Sequence, residues 1–169
     1  NPPLMEWLAS PVVYREFTSL ASRLRALRPA YYQHFSCLHH YLSMASRHLS
    51  KVAGAERVKT KHYFYILRPL LAVEWIERGY GVAPTVFGEM LDRLVDEPEL
   101  KAAIQRMIQE KSLETEKDAR PAEPLIDAFI EREMARLQDH LNHYEPRTVP
   151  PDELNKIFQS TLREVWGGC

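Results

Sequence analysis

The sequence is poor in the residues that build several common kinds of site. Of 169 residues only two are cysteine, Cys37 and Cys169. Two cysteines so far apart exclude a disulfide scaffold and a cysteine-based zinc cluster. Only six glycines are present, and they are scattered. That leaves no glycine-rich loop to cradle phosphates. No apolar run approaches the roughly 18–20 residues of a membrane-spanning helix, so no membrane partner is expected. Alternating strand patterns of useful length are missing. So are a nucleophile elbow, a metalloprotease helix motif and a close carboxylate pair for two magnesium ions. Asp92, Asp96, Glu97 and Glu99 do cluster, but at a helix junction where capping accounts for them. No secretory signal is visible, which sets a reducing cytoplasm as the expected location.

What remains is ordinary for a folded domain: 45% hydrophobic and 27% charged residues in a chain long enough for one core. The chain begins with Asn1 rather than Met, which points to a piece of something longer. Charge is unevenly spread. Residues 1–80 carry a balance of +6, and residues 81–169 a balance of −7. Five of the seven histidines also lie in the first half. An anionic partner for that half would explain the asymmetry, and so would mutual attraction of the two halves within one fold.

Helical spacing recurs along the whole chain. Asn1-Pro2-Pro3 caps a short helix through Trp7. Ser10-Pro11 opens a second, with Val13, Phe17, Leu20, Leu24 and Leu27 on one stripe and a break at Arg28-Pro29. A third is expected over Tyr31–Val52, closed by Gly54. Thr60 to Arg78 is apolar nearly all round, which predicts a central buried helix, kinked at Pro69 and closed by Gly79. Further helices are expected from Pro84 to Leu94, from Pro98 past Ile108, from Pro124 to Tyr144, and from Asp152 to Val165 with Leu154, Ile157, Phe158, Leu162 and Val165 inward. Ser112–Glu123 reads as a polar loop. The expectation is an all-α bundle of six to eight helices around the helix at about 60–78.

The chemistry-bearing residues concentrate on that central helix. Lys61, Tyr65 and Arg68 follow one another at i, i+4 and i+7, on one side of an otherwise apolar helix. Buried cations need partners. Lys59 and His62 stand at the helix start, where free N–H groups favour anions. An ammonium, a guanidinium and a phenol hydroxyl there would suit a triphosphate. Ion pairs of Lys61 and Arg68 with carboxylates such as Glu74 or Glu16 would explain the same spacing. Tyr14 and Arg15 could extend the anion site, or be exposed residues at a helix start. His39, Ser43, Ser46, Arg47 and Lys51 form the polar side of their helix, either solvated or walling a nucleotide or RNA groove. His140 and His143, with Glu145 nearby, lack a third metal ligand.

The run Asn1 to Arg15, the stretch Tyr41-Leu42-Ser43-Met44-Ala45, the segment Lys59-Thr60-Lys61-His62-Tyr63-Phe64-Tyr65-Ile66-Leu67-Arg68-Pro69-Leu70-Leu71-Ala72, and Trp75-Ile76 followed by Pro84 together resemble predicted nucleotidyltransferases of the YcgL/RlaP type. These are DNA polymerase beta superfamily proteins associated with RNA repair. The resemblance is strongest from Asn1 to about Leu94 and loose after Ser112. Members carry an upstream α/β catalytic domain with a Gly-Ser turn and an Asp-x-Asp pair that holds magnesium. By resemblance, residues 1–169 are the C-terminal helical domain alone, with the catalytic residues and metal ligands outside it. Lys61, Tyr65 and Arg68 would face a nucleoside triphosphate, with Lys59 and Arg15 beside them. The resemblance implies transfer of a nucleotidyl group from an NTP to an acceptor with Mg2+ supplied through the catalytic domain. The implied partners are that domain, the NTP and RNA. A non-catalytic helical module that binds RNA or protein is the alternative.

Overall fold

The computed structural model describes residues 2–113, 119–140 and 147–167. Among them are eight helices and one two-stranded ladder: α1 (Pro2–Ala9), α2 (Leu20–Tyr31), α3 (His34–Leu49), β1 (Arg57–Lys59), α4 (Thr60–Glu77), α5 (Phe87–Leu94), α6 (Pro98–Leu113), β2 (Ala119–Pro121), α7 (Pro124–His140) and α8 (Asp152–Trp166). The protein is an all-α bundle built around α4. Among the described residues no helix is long and apolar enough to cross a membrane.

The all-round apolar pattern of α4 does what it predicts. Tyr63, Ile66, Leu67, Leu70, Leu71, Ala72, Val73 and Ile76 are buried over most of its circumference, and the side with Lys61, Tyr65 and Arg68 is less covered. Around it, Leu38, Tyr41 and Ala45 of α3, Met90 and Leu91 of α5, Ile104 and Met107 of α6, and Ile126 and Ile130 of α7 complete one core. Pro69 is buried inside α4, and the helix runs on through it. The ring removes the N–H that would reach the Tyr65 carbonyl, a local cost of about 3 kcal/mol that packing offsets. Gly79 ends α4 with φ +75°, a left-handed conformation that glycine adopts freely.

Several boundaries differ from the sequence pattern. Residues 12–17 are not helical, and α2 begins only at Leu20. The reason is long-range: Ser19 donates its backbone N–H (2.8 Å) and its hydroxyl (2.6 Å) to Glu164 of α8, which holds the chain at the helix entrance. Pro29 lies inside α2, and the break falls later, at Tyr32 and Gln33, which are extended. The fifth helix starts at Phe87, not Pro84, and the sixth runs on to Leu113. Part of the polar stretch read as a loop pairs antiparallel with β1, with Arg57 opposite Pro121, Val58 opposite Arg120 and Lys59 opposite Ala119. Three residues per strand are too few to show alternation in sequence.

The face of α8 expected to be inward is only partly covered: Leu154, Ile157 and Leu162 are half-buried. Phe158 is 62% exposed and Val165 half exposed, and neither α2 nor α8 contributes a buried residue. These two helices pair with each other at the edge of the bundle, through the Ser19–Glu164 contacts, Arg23 to Ser160, and the Tyr31 hydroxyl donated to the Pro150 carbonyl at 2.6 Å. Asn1, His143, Tyr144, Glu145 and Cys169 lie outside the described residues.

Candidate functional site

The α4 line of polar residues splits into two environments. Arg68 is engaged within the fold. Its guanidinium donates to the Glu6 carboxylate at 3.0 Å, the Thr85 carbonyl at 3.1 Å and the Pro84 carbonyl at 3.3 Å. Glu6 also accepts from the Tyr41 hydroxyl. Burial, and then the hydrogen bond to Glu6, push the Tyr41 phenol well above its usual range. Arg68 thus ties α1 and the turn before α5 to the central helix. The ion-pair partner is Glu6, not the carboxylates that spacing suggested: Glu16 pairs with Arg25, and Glu74 with Arg78.

Lys61 and Tyr65 belong to a different cluster, at the start of α4. Tyr65 is 47% exposed. Its ring lies against His48 of α3, with centroids 4.8 Å apart and planes at 42°. His62 approaches it edge-on at 6.3 Å, and the two imidazoles stand 6.2 Å apart. Around these rings are Arg47 from the last turn of α3, Lys51 from the turn after it, Lys59 from β1, and Lys61 itself. All four cations bear on the two histidines: Arg47 and Lys51 on His48, and Lys51, Lys59 and Lys61 on His62. Burial first, and then these charges, hold both imidazoles below their ordinary range and favour the neutral form. The Nδ1 of each is shut off from solvent and has no partner.

The local structure explains the clustering. The connection at residues 50–59 folds α4 back along α3, and this helix pair packs more extensively than any other. Residues about equally far from the turn therefore face each other, which brings His48 to His62 and Tyr65. The β1–β2 ladder fixes Lys59 at the helix entrance. No side chain caps that entrance, and the buried Thr60 hydroxyl has no partner. Among the described residues the side chains of Arg47, Lys51, Lys59 and Lys61 enter no ion pair or hydrogen bond. Among the described residues, four cations without an ion pair thus gather about the start of an uncapped helix, where free N–H groups favour anions.

Arg15 is elsewhere. It sits on the exposed 12–17 segment with its guanidinium 3.8 Å over the Phe17 ring, and no hydrogen bond, ion pair or ring contact links it to Lys59, Lys61 or Tyr65. A cleft between α3, β1 and α7 is lined by Asp127 and Glu131, charges of the wrong sign for phosphate. There Tyr63, its phenol pushed up to about 12 chiefly by burial, donates to Asp127 at 3.0 Å and accepts from the Glu123 N–H at 3.0 Å, joining α4 to α7. The sequence placed Arg47 and Lys51 on a polar helix side without saying what they face. His48 carried no signal of its own, and only the symmetry of a helix pair about its turn could have paired it with Tyr65.

The sequence matches the family RlaP, described as an RNA repair pathway DNA polymerase beta family, over residues 1–160. It is 36% identical to the Bacillus subtilis (strain 168) protein named "Uncharacterized protein YcgL" over 167 residues, which cover 98% of this chain and 64% of that relative. The chain therefore spans less than two thirds of that relative's length. No solved structure matches it. The match runs through both halves of the cluster, the α3 end and the α4 start, and the chain belongs to the RNA repair pathway DNA polymerase beta family.

Proposed function

We propose that this chain is the helical substrate-binding part of a nucleotidyltransferase that moves a nucleotidyl group from a nucleoside triphosphate to an acceptor in RNA repair. The carrying observation is the face made by Arg47, Lys51, Lys59 and Lys61 around Tyr65, where four cations gather that enter no ion pair among the described residues. In the reaction, an acceptor hydroxyl attacks the α-phosphorus and pyrophosphate leaves with its electron pair. Holding that acceptor in line with the triphosphate removes part of the barrier in advance. Lys59 and Lys61 would hold substrate phosphates to that end, as point cations rather than a fixed fork. Arg68, held by Glu6, would set the position of α4.

Enzymes of this superfamily work with Mg2+. Among the described residues no group of three or more His, Cys, Asp or Glu could hold a metal ion, so these residues do not fit it. Its ligands belong, on this reading, to a catalytic domain elsewhere in the polypeptide. Trp7, Val12, Val13, Tyr14 and Phe17, close in sequence, are each exposed, with Tyr14 96% exposed, and would offer such a domain apolar side chains to seat on.

The test is nucleotidyl transfer by the full-length polypeptide, with an α-labelled NTP, Mg2+ and RNA acceptors. Lys59→Ala/Lys61→Ala is expected to lower transfer by about tenfold or more, about 1.4 kcal/mol of barrier, with an unchanged melting temperature. Equal transfer by the variant removes this face from the reaction. The second reading, a binding module without catalysis, draws on the absence of a metal-holding group among the described residues. It is favoured if RNA binds and no NTP is consumed.

A further inference from the structure

We propose that the face between α3 and α4 is a track for a single-stranded polynucleotide, with one base stacked on Tyr65 and the backbone phosphates on Arg47, Lys51, Lys59 and Lys61. This rests on reading that face as the substrate face, and it names which substrate lies there: the acceptor strand rather than the free triphosphate.

Three observations favour a strand. Tyr65 is nearly half exposed on the outside of a helix. A free nucleotide needs a concave site that buries most of its surface, whereas a strand sums modest contacts along an open face. The cations are also distributed, not converged. They come from the end of α3, from the turn after it, from β1 and from the first turn of α4. Arg47 lies in the last turn of α3 and Lys51 in the turn that follows it. Spread charge suits successive phosphates. The third observation is the ring itself. Tyr65 is backed by His48 at 4.8 Å and flanked by His62, which fixes its plane before any ligand arrives. An exposed aromatic ring with a set orientation accepts any unpaired base, and a base inside a duplex cannot reach it.

The experiment is fluorescence anisotropy of a labelled 12-nucleotide oligoribonucleotide with the full-length polypeptide. The same strand in duplex form, and unlabelled ATP as competitor, are the comparisons. Tyr65→Ala is expected to weaken single-strand binding by about 5- to 100-fold, and Tyr65→Phe to restore most of it. Lys59→Ala/Lys61→Ala is expected to flatten the slope of log K against log salt by about 1.4, two phosphate contacts at about 0.7 each. ATP is expected to displace the strand poorly. Unchanged melting temperatures establish that the variants are folded, and the exposed position of Tyr65 makes that the expected result. Equal affinity for single strand and duplex, wild-type binding by Tyr65→Ala, or ready displacement by ATP overturns the track. Strand binding through Tyr65 with no nucleotidyl transfer supports the track and removes the transferase reading. Transfer that Tyr65→Ala leaves intact, with no strand bound, does the reverse.

Discussion

Arg68 shows how a functional-looking residue resolves into a structural one when its neighbours are known. From spacing alone a cation on an apolar helix could serve a ligand or an ion pair. The geometry spends its guanidinium on Glu6 and two carbonyls. Arg68→Ala removes all three contacts and leaves Glu6 half-buried without its cation. A loss of about 1–3 kcal/mol in urea denaturation is expected. His48 and His62 make the complementary case. Both are held below the ordinary imidazole value of 6.5, first by burial and then by the surrounding cations. As pH falls past that value, the unfolded chain takes up protons that the folded chain refuses. The contribution of the pair is therefore complete above about pH 6.5 and is lost as pH falls toward the depressed folded values. Between pH 7.5 and 5.5, His48→Gln/His62→Gln is expected to lose less stability than the wild type in paired urea titrations. An equal loss would show that the two imidazoles are not held below their ordinary value.

The elements divide into an inner set and an outer one. The inner helices α3 to α7 meet on α4, whose Ile66 and Leu71 are fully enclosed. The outer helices α2 and α8 bury no residue fully and are joined by the Ser19–Glu164 and Arg23–Ser160 hydrogen bonds. Ile66→Ala is expected to cost about 2–5 kcal/mol, through lost transfer energy and the cavity left behind. Phe158→Ala is expected to stay within about 0.5 kcal/mol, because its ring already faces water. Denaturant melts of the two variants check the division, and similar losses would place α8 in the core. Most of this organisation was legible as pattern. The all-round apolar stretch at 60–77 identifies the hub, and the stripes of α3, α6 and α7 identify what packs on it. The pattern fails where an element is placed by a distant residue. Val13 and Phe17 continue the stripe of α2, yet the helix stops short of them, because Glu164 takes Ser19 as the entrance. The stripe of α8 has the right period too, but a stripe reports amphipathicity and not the partner that covers it.

For the whole molecule, the charge asymmetry finds its explanation in where pairs form. If the two halves simply neutralised each other, cations of residues 1–80 would pair with carboxylates of residues 81–169. Among the described residues the ion pair that crosses between the halves is Arg136 with Glu77 at 2.9 Å, and it runs the other way. The other pairs stay within one half. Arg23 does attract Glu164 across the halves, but among the described residues Arg47, Lys51, Lys59 and Lys61 on the α3–α4 face enter no ion pair. Such a surface raises the local concentration of anions and speeds their encounter with the protein, in a way that salt suppresses.

The amino-acid sequence by itself determined the all-α class, the identity of the central helix, the family, and the basic character of the first half. These follow from composition, helical periodicity and a specific motif run, all of which are local or additive along the chain. The tertiary structure alone decided which polar residues act together. It assigned Arg68 to Glu6, joined Lys61 and Tyr65 to His48 and Lys51 across the helix pair, and left Arg15 on Phe17. The physical reason is that periodicity gives the direction of a side chain around its own helix. Charge pairing and ring stacking depend instead on which helix stands opposite, and that is set by the packing of the whole core around α4.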